Sequence, residues 1–177
     1  MRTPTRAEFF DEAAARLKRA VPFDGACWHT LDPGSDLITQ HHLQDLPDRF
    51  PVLADNEYGV EDVNKFAQLA RAERKAATLA EATGGHPENS ARFRDLLSRA
   101  GIGPELRSAF VADRATWGAL ILVRRAGQPE FQAPEVELLA RLSAVCSGGP
   151  PRADHRSVRV LGPAVRLSRG DRVRRVR

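Results

Sequence analysis

The sequence predicts an α/β (α+β) domain with a central antiparallel sheet of about five to six strands flanked by helices. Two observations carry this. Short strand-forming runs come in pairs joined by turns, and segments of helical periodicity separate those pairs. Strands are not set apart one by one by helices, which argues against a doubly wound parallel sheet. The size agrees: 177 residues, 42% hydrophobic and 28% charged, suit one folded domain with an extension.

The elements follow in order. Thr5 and Glu8 have the spacing of a capping box. Phe9, Phe10, Ala13, Leu17 and Ala20 then recur at helical spacing, which predicts a helix over 6–20, ended by Pro22 and Gly25. Gly25 to Leu31 reads as a strand, 32–36 as a turn and Leu37 to Leu43 as the returning strand. With the turn centred on Gly34, Cys27 pairs near His41 and His29 near Thr39. A loop containing Pro47 and Pro51 leads to a short helix over 60–72, marked by Val63, Phe66, Leu69 and Ala70.

Ala76 to Ala82 reads as a strand. Pro87 opens a helix whose stripe is Phe93, Leu96, Leu97 and Ala100, closed by Gly101. Leu106 to Ala112 and Trp117 to Arg124 form a second hairpin around Asp113-Arg114-Ala115. Pro134 opens a last helix carrying Val136, Leu138, Leu139, Leu142 and Val145, and Gly148-Gly149-Pro150-Pro151 stops it.

Charge is unevenly spread. Residues 152–177 hold nine Arg, no Lys and two acids, Asp154 and Asp171, a net +7 in a chain whose total is +4. The body therefore carries about −3, and any argument from charge to a nucleic-acid partner concerns the tail alone. The first 21 residues lack the apolar run of a signal peptide. The longest apolar run, Ala119 to Val123, is far short of a membrane span. A cytoplasmic protein without membrane contact is expected. In a reducing compartment Cys27 and Cys146 are expected as buried thiols.

Several stretches together go beyond composition. They are Val21-Pro22-Phe23-Asp24-Gly25-Ala26-Cys27-Trp28-His29-Thr30-Leu31-Asp32-Pro33, Asn56-Glu57-Tyr58, Asp62-Val63-Asn64-Lys65-Phe66-Ala67, Ala77-Thr78-Leu79 and Trp117-Gly118-Ala119-Leu120. They resemble the GAF-like sensor half of actinobacterial LuxR-type transcriptional regulators, over about residues 5–147. The resemblance implies a GAF/PAS-like fold with a small-molecule ligand held between sheet and crossing helices. It also implies a homodimer built on the terminal helices. A helix-turn-helix domain follows the sensor in that family, and residues 148–177 lack its length and its apolar spacing. DNA contact is thus expected only through a domain that this sequence does not contain.

Candidate pocket residues are Trp28, Tyr58, Phe66, Phe110 and Trp117 as apolar walls, with His29, Thr30 and Asn64 as polar contacts. Plain core packing explains the same aromatics. Candidate dimer residues are Phe9, Phe10, Leu17, Leu138 and Leu142, which equally suit helices that only cover the sheet. Cys27, His29 and His41 converge if the hairpin register is right, a soft ligand set for zinc or haem. Without metal-site spacing a buried Cys with partly exposed His is the simpler reading, and no metal or cofactor is expected. Asp55, Glu57, Glu61 and Asp62 read as a solvated loop and helix start. No G-x-S-x-G, H-E-x-x-H or P-loop is present, and no enzyme is expected. Residues 148–177 suit a basic arm for nucleic acid, a disordered extension, or the out-of-frame product of GC-rich DNA.

Overall fold

The computed structural model describes residues 5–46 and 50–145. Cys146 and the Arg-rich segment 148–177 lie outside the described residues, and so do their expected roles.

Five antiparallel strands form one sheet in the order β2-β1-β5-β4-β3. They are β1 (Gly25–Leu31), β2 (Ile38–Gln44), β3 (Ala76–Thr78), β4 (Ile102–Ala112) and β5 (Ala115–Arg125). Helices α1 (Arg6–Leu17) and α5 (Ala133–Val145) cover one face. On the other lie α2 (Phe50–Gly59), α3 (Phe66–Arg71) and the turns of 87–100. Helix α4 (Leu79–Thr83) follows β3 directly. Among the described residues no helix is long and apolar enough to cross a membrane.

The first helix starts as the sequence predicts. Thr5 Oγ1 accepts from the Glu8 N–H at 3.3 Å, and the Glu8 carboxylate accepts from the Thr5 N–H at 2.7 Å. Replacing Thr5 by alanine is expected to cost about 1 kcal/mol, read from the urea midpoint; a loss near zero would mean that packing alone holds the helix start. The α1 face then buries Ala13, Ala14 and Leu17 against Ala26, Trp28, Leu120 and Leu122 of the sheet, with Val136 and Leu139 of α5.

Strand parity separates the two layers. Ala26 and Trp28 of β1 turn toward α1 and α5, while Cys27, His29 and Leu31 turn away. On the far side Cys27, Ala119, Ile121 and Val123 pack with Phe66, Leu43 and Leu53.

Four local readings are corrected. The stretch before residue 60 contains α2, not only a loop, and the expected 60–72 helix is the shorter α3. The expected strand 76–82 keeps three strand residues before Thr78 caps α4, its Oγ1 accepting from the Glu81 N–H at 3.0 Å. The expected helix from Pro87 breaks into a 3-10 turn (Pro87–Asn89), a π-helical turn (Phe93–Leu97) and a second 3-10 turn (Ser98–Ala100), closed by Gly101 at φ 70°. Strand β4 starts four residues earlier than expected and β5 is longer at both ends, 11 residues each.

Candidate functional site

The sheet face away from α1 and α5 carries charges where a core is expected. Glu105 and Arg107 stand two apart on β4, so both side chains leave the sheet on one side, and both are 0% exposed. A buried ion is tolerated only when paired and hydrogen-bonded, and each here is. Arg92, 1% exposed, donates from Nε and Nη2 to both Glu105 oxygens at 2.8–3.2 Å. Its Nη1 donates to the Val63 carbonyl and to Asn56 Oδ1, and it stands 3.6 Å from Asp62. Arg107 donates from Nη2 to Glu57 Oε2 at 2.9 Å and from Nη1 to the Asn64 carbonyl at 3.0 Å. Its guanidinium carbon lies 4.1 Å from the Phe66 ring centroid.

The connection between α2 and α3 supplies these partners. Glu57 also accepts from the Phe66 N–H at 2.6 Å, at the start of α3. Asn64 adopts φ 55°, a left-handed conformation that asparagine tolerates, and its side chain donates to the Thr78 carbonyl at 2.9 Å. Asp62 accepts from the N–H groups of Val63 and Arg92, from Asn56 and from Ser90. Burial pushes its carboxyl up, but those hydrogen bonds and the Arg92 charge outweigh burial and hold it below the usual carboxylate range. The reading of Glu57 and Asp62 as solvated is therefore corrected: they are 5% and 9% exposed, whereas Asp55 and Glu61 do face solvent.

His29 completes the arrangement. It is 3% exposed, its ring centroid lies 5.3 Å from that of Phe66, and its Nε2 lies 3.2 Å from Cys27 Sγ. Burial, helped by the charges of Arg107 and His41, pushes its pKa down to about 3. Two buried side-chain nitrogens have no hydrogen-bond partner among the described residues: His29 Nδ1 and Arg107 Nε. On the same sheet face lies a cavity of about 70 Å³, lined by Cys27, Leu43, Leu46, Leu53, Leu97, Ile102, Ile121 and Val123 with Glu105 and His41.

The low pKa of His29 has a measurable consequence. An unfolded histidine binds its proton near pH 6.5, and the folded one only near 3. Between those values the unfolded state holds the extra proton. His29 thus lowers stability by about 1.4 kcal/mol for each unit that pH falls through that window, and has no effect above it. The stability gap between wild type and His29→Gln is expected to shrink by that slope on acidification; parallel curves would show that His29 is protonated in the fold.

The eight predicted pocket residues do not share one pocket. His29, Asn64 and Phe66 meet on the cavity face. Trp28 and Phe110 stack on the opposite face, centroids 6.5 Å apart, with Phe10 of α1 5.4 Å from Trp28. Trp28 and Thr30 line a groove of about 440 Å³ there, with Ala7, Phe10 and His42. Tyr58 is 47% exposed and staples the β1–β2 turn, accepting from the Ile38 N–H at 2.7 Å. Trp117 is 37% exposed, its indole donating to the Ala112 carbonyl. Of the predicted dimer residues Leu17 is 1% exposed in its own core, whereas Phe9, Phe10, Leu138 and Leu142 are half-buried. Cys27, His29 and His41 do share a face, yet no group of three His, Cys, Asp or Glu among the described residues is arranged to hold a metal ion.

The sequence reading missed Arg92, Glu105 and Arg107. One signal was present: Glu105 and Arg107 alternate within a strand of otherwise apolar and small residues.

The architecture has close counterparts in shape. It is similar to the GAF domain/HD domain protein from Geobacter sulfurreducens, at 16% identity and a TM-score of 0.55, over 82% of this chain and 92% of that one. The chain has the fold of GAF domains. This GAF-type architecture is also similar to the VqsR LBD domain from Pseudomonas aeruginosa, at 18% identity and a TM-score of 0.52, over 79% and 82% of the two chains. A third similar structure is SdiA from Escherichia coli, at 14% identity and a TM-score of 0.50, over 82% of this chain and 61% of that one. No protein-family model matches the chain, and no curated protein matches it.

Proposed function

We propose that this chain is a small-molecule-sensing regulatory domain, akin to the GAF half of a LuxR-type regulator. The observation that carries the reading is the cavity face: an aliphatic cavity bordered by a buried polar cluster, on the sheet side that α1 and α5 leave uncovered. Apolar walls with a few placed polar groups are what a ligand site requires. The similarity in shape to an LBD domain and to a GAF domain/HD domain protein supports it. Helices α1 and α5 carry the output, through a homodimer contact that Phe9, Phe10, Leu138 and Leu142 are exposed enough to make. A ligand acts there only by favouring one arrangement of those helices over another. No catalytic role is proposed.

The small cavity favours a second reading. About 70 Å³ is well below the volume of a drug-sized site, roughly 300–1,000 Å³, so a dimerisation module with a filled pocket also fits. A thermal-shift screen of small metabolites with native mass spectrometry, repeated under light scattering, separates the two. A bound metabolite that changes the dimer supports sensing. A constant dimer that binds nothing supports the module, and a strict monomer at tens of micromolar removes both.

A further inference from the structure

We propose a second ligand site on the opposite face of the sheet: the groove between α1 and strands β1 and β2, taking a small uncharged aromatic compound with a hydrogen-bonding edge. This goes beyond the sensing reading and does not depend on it, since the cavity of that reading lies on the other face and only His41 borders both.

The groove holds about 440 Å³, within the roughly 300–1,000 Å³ of small-molecule sites, where the cavity holds about 70 Å³. Two cross-strand pairs of one sheet face make its floor, Trp28 with His42 and Thr30 with Gln40. Ala7 and Phe10, three apart on α1, border it from the helix side. One end of the floor is therefore made of rings. The planes of Trp28 and His42 each lie 25° from that of Phe10, with centroids 5.4 and 5.6 Å away. A further flat ring extends that row by an offset contact, which a saturated body of the same size cannot make.

The other end is polar and uncharged. Thr30 brings a hydroxyl, and the exposed Gln40 brings an amide with donors and an acceptor, so a ligand edge with both kinds of group is matched there. Among the described residues no lysine, arginine or carboxylate lines the groove. Its titratable members are His41 and His42. His42 already faces Asp11, Nε2 to Oδ1 at 2.9 Å, and Gln44 donates to the same oxygen at 2.8 Å. A charged ligand would give up water there without gaining a fixed counter-charge. An uncharged one meets no such cost, and it touches α1 directly through Phe10.

The test compares benzamide with benzoate, which adds charge, and with cyclohexanecarboxamide, which removes the flat ring. The whole chain has two tryptophans, so 15N labelling gives two indole cross-peaks, told apart by the loss of one in Trp117→Phe. Trp28 borders the groove and Trp117 does not. Benzamide is expected to move the Trp28 peak saturably and to leave that of Trp117 in place, with each comparison compound bound at least threefold more weakly. Ala7→Leu, at an exposed helical position that leucine suits, fills the groove and is expected to weaken benzamide at least tenfold. Equal or tighter binding of either comparison compound overturns the ligand class. Benzamide binding that Ala7→Leu leaves unchanged, or that moves Trp117 instead, overturns the placement. No saturable shift at millimolar benzamide overturns the site, and a Trp28 peak that moves only on dilution of the chain assigns the groove to a second copy. Each of these outcomes leaves the sensing reading to its own screen.

Discussion

Replacing Glu105 by alanine is expected to remove about 3–5 kcal/mol of stability, the cost of stranding a buried charge. Arg92 is 1% exposed and cannot turn to water, and its two-point contact with Glu105 is its shortest. Without it the guanidinium keeps only Asp62 at 3.6 Å, Asn56 Oδ1 at 3.4 Å and the Val63 carbonyl at 3.3 Å, none of them well placed. The pair is expected to be strongly non-additive. Arg92→Met combined with Glu105→Leu removes both charges and keeps volume, and should cost much less than Glu105→Ala alone. Urea unfolding of the three chains measures this. A single-variant loss below about 1 kcal/mol, or a double variant as weak as the single, would show that water reaches the pair.

Replacing Phe66 by alanine is expected to cost about 3–5 kcal/mol as well, for a different reason. The ring is 2% exposed and fills the space between Arg107 and His29. Its removal deletes apolar contact, leaves a cavity and takes away the aromatic face on which the Arg107 guanidinium rests. The Phe66 N–H bond to Glu57 belongs to the backbone and survives, so the loss reports the ring alone. Phe66→Leu should recover most of the packing but not the cation contact. The loss of Phe66→Leu relative to wild type in urea therefore estimates that contact, roughly 0.5–2 kcal/mol. A Phe66→Leu chain as stable as wild type would assign the whole effect to volume.

Local chemistry was the legible part. The Thr5–Glu8 box, the Gly101 stop and both hairpins follow from residue type at fixed offsets, and these depend on neighbours along the chain. The β1–β2 register shows where such reasoning stops. His29 was expected near Thr39 but lies opposite His41, and Cys27 lies opposite Leu43. The 32–37 connection holds Asp36 at φ 57°, and the pairing steps irregularly at Thr30/Leu31. The slip is two residues, an even number, so each side chain keeps its face and Cys27, His29 and His41 still share one. An odd slip would have exchanged the two faces of β2.

Helix α2 was hidden for a related reason. Pro51 and the mix of polar and apolar residues in 50–59 carry no clear period, since its inward face presents Asn56 and Glu57 beside Leu53. Those side chains are buried because Arg92 and Arg107 meet them from 36 and 50 residues away along the chain. A charge is read as solvated until its partner is known, and periodicity cannot supply a partner. The pocket prediction failed to converge on the same ground: Trp28 and His29 are adjacent in sequence and lie in different layers.

That adjacency has a mechanical meaning. Strand β1 is one stiff ribbon whose alternate side chains belong to two compartments, His29 to one and Trp28 to the other. The ribbon is paired with β2 and β5 along its length. In the proposed sensor a displacement of His29 by a fraction of an ångström would reach the Phe110–Trp28–Phe10 stack, and so α1, through adjacent residues of one strand. On that proposal the sheet would serve as a diaphragm, its two faces joined by the alternation of one strand and not by a route around the edge.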